Sequence, residues 1–140
     1  MKALFDTNIV LDVALDRPQL AASSRAALTW GFEHPGRACL AWHSVATLAY
    51  FLGRHGRPAA VRPLVGELVV RLDIAGGSDR ELLRAIELPM TDFEDAMIAA
   101  LAESAGATHI VTRNTADFRR SPVKAVTPDG PAAGVGRIGI

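Results

Sequence analysis

Short apolar runs without alternating polar positions recur along the chain, and longer stretches with helical spacing of apolar residues separate them. The short runs predict buried strands and the longer stretches predict helices. The predicted strands cover residues 2–5, 38–41, 72–74, 109–112 and 124–126. The predicted helices cover residues 9–15, 18–32, 44–54, 58–70, 79–87 and 91–105. Strands of this kind alternating with helices indicate an α/β fold, in which helices cover both faces of a parallel sheet.

Polar residues near the starts of several predicted helices have the side chains that N-caps use. The candidate caps are Thr7 or Asn8, Ser44, Ser78 and Thr91. Glu94 follows Thr91 by three residues, which is the form of a capping box and predicts that the helix begins there. In the third predicted helix, residues 50–52 read Tyr-Phe-Leu, and their spacing predicts that they are buried.

The length of 140 residues fits one domain. We expect this domain to cover residues 1–130, followed by a loosely ordered, glycine- and alanine-rich tail over residues 131–140. No apolar run approaches the roughly 18 to 20 residues of a membrane span, and no signal peptide is apparent. The single cysteine, Cys39, cannot form an internal disulfide, and its apolar neighbours predict a buried thiol. These features predict a soluble, cytoplasmic protein.

The overall charge gives no indication of a nucleic-acid partner. Fifteen Lys and Arg balance fifteen Asp and Glu, so no net basic field is present. Nearly all the cations are arginine, which suits bidentate contacts to phosphate, although a GC-rich genome would produce the same bias. Several common site types are absent from the sequence: the histidine–cysteine spacing of zinc sites, the phosphate-binding P-loop and the Gly-x-Ser-x-Gly elbow.

Four aspartates lie where a parallel sheet could bring them together. Asp92 and Asp95 are three residues apart in the first turn of a predicted helix and therefore lie on one face. Acidic residues also favour a first turn simply because they complement the helix dipole. Asp6, however, ends the first strand, and Asp117 follows the strand over residues 109–112. Functional groups gather at the carboxyl ends of parallel strands, so these acids meet if the two strands are neighbours.

Carboxylates forced together repel one another, and this repulsion raises their pKa values unless a positive charge lies among them. A hard divalent cation, Mg²⁺ or Mn²⁺, meets this need because it prefers oxygen ligands. Such an ion activates water and stabilises the charge that develops on a phosphate. The residue types alone therefore indicate an acidic metal site that acts on phosphodiesters.

Three separated motifs and a fourth, shorter one resemble the PIN domain family. They are Leu-Phe-Asp-Thr-Asn-Ile-Val-Leu-Asp at 4–12, Asp-Phe-Glu-Asp-Ala at 92–96, Val-Thr-Arg-Asn-Thr-Ala-Asp-Phe at 111–118 and Val-Thr-Pro at 126–128. The size resembles the VapC-type toxin of bacterial toxin–antitoxin pairs. The resemblance implies a three-layer α/β/α sandwich with a mainly parallel five-stranded sheet. It further implies an Mg²⁺- or Mn²⁺-dependent endoribonuclease that cleaves RNA with a metal-activated water, binds an antitoxin and forms a homodimer.

The same resemblance assigns roles to individual residues. Asp6, Asp95 and Asp117 match the metal-binding catalytic acids of the family. Asp92 matches an extra acid found in some relatives and ranks below those three. Further residues match positions that orient the acids or contact substrate: Thr7, Asn8, Thr47, Thr112, Arg113 and Asn114. Among these, Thr112 is expected to hold its loop rather than touch the substrate.

One departure from the family pattern leaves the activity open. The family commonly supplies a glutamate from the helix after the second strand, and here that helix contains no acid. Thr47 falls nearest the glutamate position, or Tyr50 if the register slips. A hydroxyl cannot replace the carboxylate charge, so metal affinity should fall. The alternatives are a catalytically weakened PIN module that binds RNA or protein and, less favoured, a small-molecule phosphohydrolase.

Other charged residues have simpler interpretations. Asp12 lies one helical turn after Asn8 and could face the site, although a structural role is favoured. Asp16 is interpreted as a solvated partner of Arg17. Arg119 and Arg120 are plausible phosphate contacts, but an exposed basic pair is usually only a solvated surface.

Overall fold

Five parallel strands form the centre of the computed structural model, which describes residues 1–129. They are β1 (Ala3–Phe5), β2 (Ala38–Ala41), β3 (Asp73–Ala75), β4 (His109–Val111) and β5 (Lys124–Val126). The strand order is β3-β2-β1-β4-β5, and each neighbouring pair runs parallel. The first strand therefore lies between β2 and β4, which confirms the predicted parallel sheet and the pairing on which the site prediction depended.

Helices lie on both faces of this sheet. They are α1 (Thr7–Ala14), α2 (Ala21–Glu33), α3 (Trp42–Arg54), α4 (Val61–Arg71), α5 (Asp79–Glu87) and α6 (Phe93–Ser104). Two short 3-10 turns, Pro58–Ala60 and Thr115–Phe118, complete the regular structure of the described chain. One buried cluster joins the sheet to α1–α4, and a second joins it to α5 and α6. The predicted three-layer α/β/α sandwich is confirmed.

The central strand contributes to both of these clusters. Leu4 packs with α5 and α6, whereas Ala3 and Phe5 pack with α1–α4. All three side chains are fully buried, because successive residues of a strand face opposite layers and both layers are covered by helices. This double coverage explains why β1 appears in the sequence as an unbroken apolar run.

Three predicted caps are wrong by one or more residues. Asp6, not Thr7 or Asn8, caps α1, and its side chain accepts a hydrogen bond from the Thr7 backbone amide. Asp92, not Thr91, caps α6 and accepts from the Asp95 amide, so the capping box predicted there does not form. Ser44 lies inside α3 and is buried. A capping box forms instead at the start of α5, between Ser78 and Glu81, and the predicted Ser78 cap is confirmed.

Two local predictions, for Asp16 after α1 and for Tyr50 in α3, are also wrong. Asp16 does not pair with Arg17 but with Arg25, at 3.5 Å, and its backbone has the left-handed φ of 46° just after α1. Tyr50 is 58% exposed, whereas Leu52 is buried. The helical face carrying Tyr50 points away from the sheet, so only part of the predicted Tyr-Phe-Leu core exists.

The remaining sequence predictions concern the tail, the membrane and the thiol. The tail predicted over residues 131–140 lies outside the described residues. Between residues 1 and 129, no helix is both long and apolar enough to cross a bilayer. Cys39 is a free, buried cysteine, and burial raises the pKa of its thiol to about 11. The predicted buried thiol is confirmed.

Candidate active site

The candidate site forms where β1 and β4 end side by side. Asp6 follows β1 directly, and its backbone amide donates to the Val111 carbonyl at 2.9 Å. The loop after β4 then turns through Thr115–Phe118, a 3-10 turn anchored by buried Phe118. This turn carries Asp117. The pairing of two strands more than 100 residues apart thus brings together acids that are distant in sequence.

A cavity of about 310 Å³, here called the acid pocket, lies at this edge of the sheet. Its acids are Asp6, Asp92, Glu94, Asp95 and Asp117. Its other polar lining residues are Thr7, Asn8, Arg17, Thr47 and Asn114. The structure therefore brings together all four predicted acids and four of the six predicted supporting residues, and it places Thr112 and Arg113 behind the lining.

Two charged lining residues, Glu94 and Arg17, are not among the site residues that the sequence predicts. Glu94 was treated only as part of a capping box, although it shares the first turn of α6 with Asp95, and that clustering of acids was a readable signal. Arg17 lies beyond the end of α1, and no local pattern relates it to the acids.

Asp6 is the most firmly held acid of the pocket, with 7% of its surface exposed. One carboxylate oxygen accepts from the Thr7 amide at 2.8 Å, and the other accepts from Thr112 Oγ1 at 2.7 Å and Asn8 Nδ2 at 3.2 Å. Burial raises the pKa of Asp6, while the hydrogen bonds from Thr112 and the Thr7 amide and the charge of Arg113 oppose the rise. Its orientation is therefore set before any ligand arrives.

Asp95 shows most clearly that like charges converge here. Burial, followed by the charges of neighbouring acids, raises its pKa to about 7. The acids responsible are Asp92, Asp6, Asp117 and Glu94. Burial, together with Asp6 and Asp92, also raises the pKa of Glu94. Such mutual repulsion indicates a site that is short of positive charge.

The donor atoms of the pocket fit a hard cation that keeps part of its water shell. The acids offer a metal ion only oxygen ligands. The buried oxygen Asn8 Oδ1 accepts no hydrogen bond within the described residues and is a further oxygen of this kind. Within residues 1–129, no three carboxylate, imidazole or thiol groups are close enough to bind one metal ion together. These residues thus fit Mg²⁺ or Mn²⁺ held through one or two carboxylates and bridging waters, which is a common mode for Mg²⁺.

Helix α3 contributes a hydroxyl to the pocket and no acid. Thr47 lines the acid pocket, and its Oγ1 lies 3.5 Å from the His43 carbonyl, to which it donates. Tyr50, the other register considered, instead accepts a hydrogen bond from Arg54 at an exposed position. Thr47 therefore occupies the side of the pocket where the resemblance led us to expect a glutamate.

Asp12 is completely buried behind the pocket and does not line it. Its carboxylate accepts from Ser24 Oγ at 2.8 Å and from Arg17 at 3.3 Å. Arg113 Nε lies 2.8 Å from the same carboxylate and forms an ion pair with it. The Nε–H group does not form a hydrogen bond there. Asp12 thus positions two arginines beside the acids.

A second cavity, of about 470 Å³, adjoins the first. It shares Asp92, Asp95 and Asp117 with the acid pocket and adds Arg119 and Arg120. We call this second cavity the arginine groove. Acids and arginines therefore line two adjoining cavities.

Comparison with known proteins places the chain in a family. A family model described as PIN domain matches residues 2–116. The chain belongs to the PIN domain family. This confirms the family resemblance on which the residue assignments were based, and no curated protein sequence matches the chain significantly.

Solved structures share this PIN fold over most of their length. A toxin–antitoxin complex from Klebsiella pneumoniae is 24% identical, with a TM-score of 0.68 over 91% of this chain and 98% of that one. VapBC2 from Rickettsia felis, bound to a DNA fragment from its promoter, is 20% identical, with a TM-score of 0.71 over 91% and 98%. VapC20 from Mycobacterium tuberculosis, a sarcin–ricin loop cleaving toxin, is 11% identical, with a TM-score of 0.64 over 78% and 87%. At these identities the likeness is one of fold.

Proposed function

We propose that this PIN domain protein is a metal-dependent endoribonuclease and the toxin of a toxin–antitoxin pair. The observation that carries the proposal is the convergence of acids from three distant segments on one recess, where burial and the charges of these acids together raise the pKa of Asp95 to about 7. Carboxylates grouped in this way are suited to a divalent cation and, through it, to a phosphodiester.

In this proposal Asp6, Asp95 and Asp117 would hold Mg²⁺ or Mn²⁺, one or two of them directly and the rest through water molecules on the cation. When bound, the cation activates a water molecule and neutralises charge that develops on the phosphate. The protein's own part is positional: Thr112 and the Thr7 amide fix the Asp6 carboxylate, and the Asp92 side chain holds the first turn of α6 on which Asp95 lies. Preset carboxylates need little rearrangement when substrate binds.

The partner assignments rest on the named structural neighbours. Those from Klebsiella and Rickettsia are complexes of toxin with antitoxin, which supports a cognate antitoxin for this chain. We also propose a homodimer, by analogy with the family. An RNA substrate and a co-encoded antitoxin would place the activity in the cytoplasm.

The test is metal-dependent RNA cleavage by purified protein freed of its antitoxin. Cleavage should require Mn²⁺ or Mg²⁺ and fall by about 100-fold or more in Asp6→Asn and Asp95→Asn, because each removes a charge on which metal binding depends. Asp79→Asn, at an exposed position on α5, is the matched control and should cleave normally. Undiminished cleavage by both pocket variants, with native circular dichroism, would refute the proposal.

A second candidate is a weakened PIN module that binds RNA or protein without cutting, and the absence of an acid from α3 favours it. This candidate predicts no cleavage with Mn²⁺ and equal RNA affinity for the unsubstituted protein and Asp6→Asn. Fluorescence anisotropy with labelled RNA, run beside the cleavage assay, separates the two candidates.

A further inference from the structure

Helix α5 carries its large apolar side chains on the side that faces away from the sheet. Leu82, Leu83 and Ile86 are between 45% and 67% exposed, and their spacing places them on one face of the helix. The inward face uses the smaller Ala85 and the terminal Leu88, which are buried in the core. Single exposed apolar residues are ordinary, whereas a contiguous group marks an interaction surface.

The apolar surface continues from α5 onto the start of α3. Trp42 is 72% exposed, and it lines a cavity of about 390 Å³ together with Leu82, Met97 and Leu101. A large exposed aromatic side chain beside an apolar cavity is the kind of anchor that protein interfaces use. The α5 face, as we call this surface, consists of Trp42, Leu82, Leu83 and Ile86.

Two opposite charges border the α5 face along one flank. Arg80 and Glu87 are seven residues apart, which is close to two helical turns, so both lie on the same side of the helix. Arg80 forms no ion pair with any residue from 1 to 129. Glu87 reaches only Arg84 in this part of the chain, at 4.0 Å. Both charges are therefore available to a partner chain.

The order of these charges fits a second copy of the same helix. A two-fold axis perpendicular to two helices sets them antiparallel and keeps the same flank of each on the same side. Arg80 of one copy then lies beside Glu87 of the other, and this contact occurs twice. The midpoint between positions 80 and 87 lies beside Leu83, so this residue packs against its counterpart near the axis. A parallel arrangement would instead place like charges beside one another, which repel.

We propose that α5 packs antiparallel against α5 of a second copy of this chain, with the α5 face buried between them. Leu83 and Ile86 supply the apolar centre, and the two pairs of Arg80 with Glu87 fix the direction and the register. Trp42 and Leu82 cover the flank opposite these charges. The inference rests on the homodimer proposed above and assigns its contact surface.

The experiment measures the dissociation constant of the dimer by sedimentation velocity, with purified protein freed of its antitoxin, over a range of concentrations. Leu83→Glu should weaken the dimer by about 100-fold or more, because two carboxylates would meet at the axis within an apolar contact. Val70→Glu is the matched control. Val70 is an exposed apolar residue of α4, on the opposite face of the sheet, and this variant should dimerise like the unsubstituted protein.

A charge exchange tests the direction of the two helices. Arg80→Glu and Glu87→Arg should each weaken the dimer by about tenfold, because each replaces two attractive pairs by two repulsive ones. The double variant with both substitutions should regain most of the affinity, since every pair is again of opposite sign. Arg62→Glu, at an exposed position of α4, is the control for the change of charge and should leave the dimer unaffected.

Three results would overturn the inference. Equal dissociation constants for Leu83→Glu and Val70→Glu, with native circular dichroism, would move the contact away from α5 while the homodimer itself stands. A double variant that dimerises no better than Arg80→Glu would exclude the antiparallel pairing. An unsubstituted protein that stays monomeric would leave the α5 face to a partner of another kind and overturn the proposed homodimer as well. Metal-dependent RNA cleavage is a separate measurement and decides none of these outcomes.

Discussion

Single residues at the acid pocket serve the backbone and the site at the same time. Asp6 caps α1, and Asp92 caps α6, while both carboxylates line the pocket. Replacing either by alanine would remove a cap, at a cost of about 1 kcal/mol in folding free energy, as well as a charge. Asparagine is the sharper substitution because its side-chain oxygen can still cap the helix. At Asp92 a loss of activity then reports on the charge, whereas at Asp6 it also reports on the carboxylate oxygen that accepts from Thr112 and Asn8.

Replacing Thr47 by glutamate should strengthen metal binding at the acid pocket. Thr47→Glu would add a carboxylate to the acid pocket from α3, where the chain has only a hydroxyl. We expect Mn²⁺ to bind about tenfold more tightly, because affinity for hard cations rises with the number of charged oxygen ligands. Isothermal titration calorimetry measures the affinity, and the RNA cleavage rate with limiting Mn²⁺ should rise with it.

Thr47→Gln is the control for that experiment, since it has the same shape as glutamate without the charge. Its Mn²⁺ affinity should stay near that of the unsubstituted protein. If Thr47→Glu binds Mn²⁺ no better than Thr47→Gln, α3 does not face the cation and the proposed metal position is wrong.

At the scale of elements, the sequence predicted the type and order of the strands and helices more reliably than their ends. Buried runs such as that at β1 are unambiguous because helices cover both faces of the sheet. The caps of α1 and α6 were displaced because Asp6 and Asp92 have extended backbones themselves, so a residue expected to end the strand, or to lie inside the helix, is the one that caps it. The Thr91 and Ser78 patterns look alike in sequence, and only tertiary packing decides which box forms.

The packing of α2 on the sheet depends on a glycine. A Cβ at Gly31 would lie 2.9 Å from both Ala38 Cβ and Phe5 Cε2, which is closer than packed carbons approach. We expect Gly31→Ala to lower the free energy of unfolding by about 1–3 kcal/mol, because α2 must move away from β1 and β2. Urea denaturation followed by circular dichroism measures this change.

Gly66→Ala, in α4, should stabilise the protein where Gly31→Ala destabilises it. A Cβ at Gly66 meets nothing within 4 Å, and the position is exposed in α4. Alanine there should raise the free energy of unfolding by about 0.5–1 kcal/mol through helix propensity alone. Equal effects of the two substitutions would show that α2 is not closely packed at Gly31.

At the scale of the whole molecule, the sequence predicted which acids meet but not how their surroundings are charged. Asp6, Asp95 and Asp117 could be grouped because the carboxyl ends of parallel strands share an edge. The pairing of Asp12 with Arg113 could not be predicted, because it joins residues about 100 positions apart without any local pattern. For the same reason the position of Arg17 became apparent only from the fold.

The pKa of Asp95, which burial and then the neighbouring acids raise, predicts a pH-dependent stability. Asp95 has a raised pKa of about 7 in the folded protein, against an ordinary value of 3.8, so folding favours its neutral form. The stability from that preference is full below about pH 4 and is lost as pH rises through 7. In EDTA, the free energy of unfolding of Asp95→Asn relative to that of the unsubstituted protein should therefore be about 1 kcal/mol higher at pH 8 than at pH 5, after allowance for solvent screening.

Urea denaturation at the two pH values measures this difference. Asp73→Asn removes the same charge from an exposed position on β3, outside both cavities, and should show little change between pH 5 and pH 8. An advantage of Asp95→Asn that is independent of pH would mean that neither burial nor the neighbouring acids raise the pKa of Asp95 in the folded protein.

The placement of β4 beside β1 also bears on the order in which the protein becomes competent during translation. Asp6 leaves the ribosome early, but its partner Asp117 follows a strand that is synthesised more than 100 residues later. Chains emerge with their N-terminal part first, so a nascent polypeptide carries an incomplete set of carboxylates for most of its synthesis. The acid pocket is therefore completed only when β4 has docked beside β1 and the turn that carries Asp117 has folded.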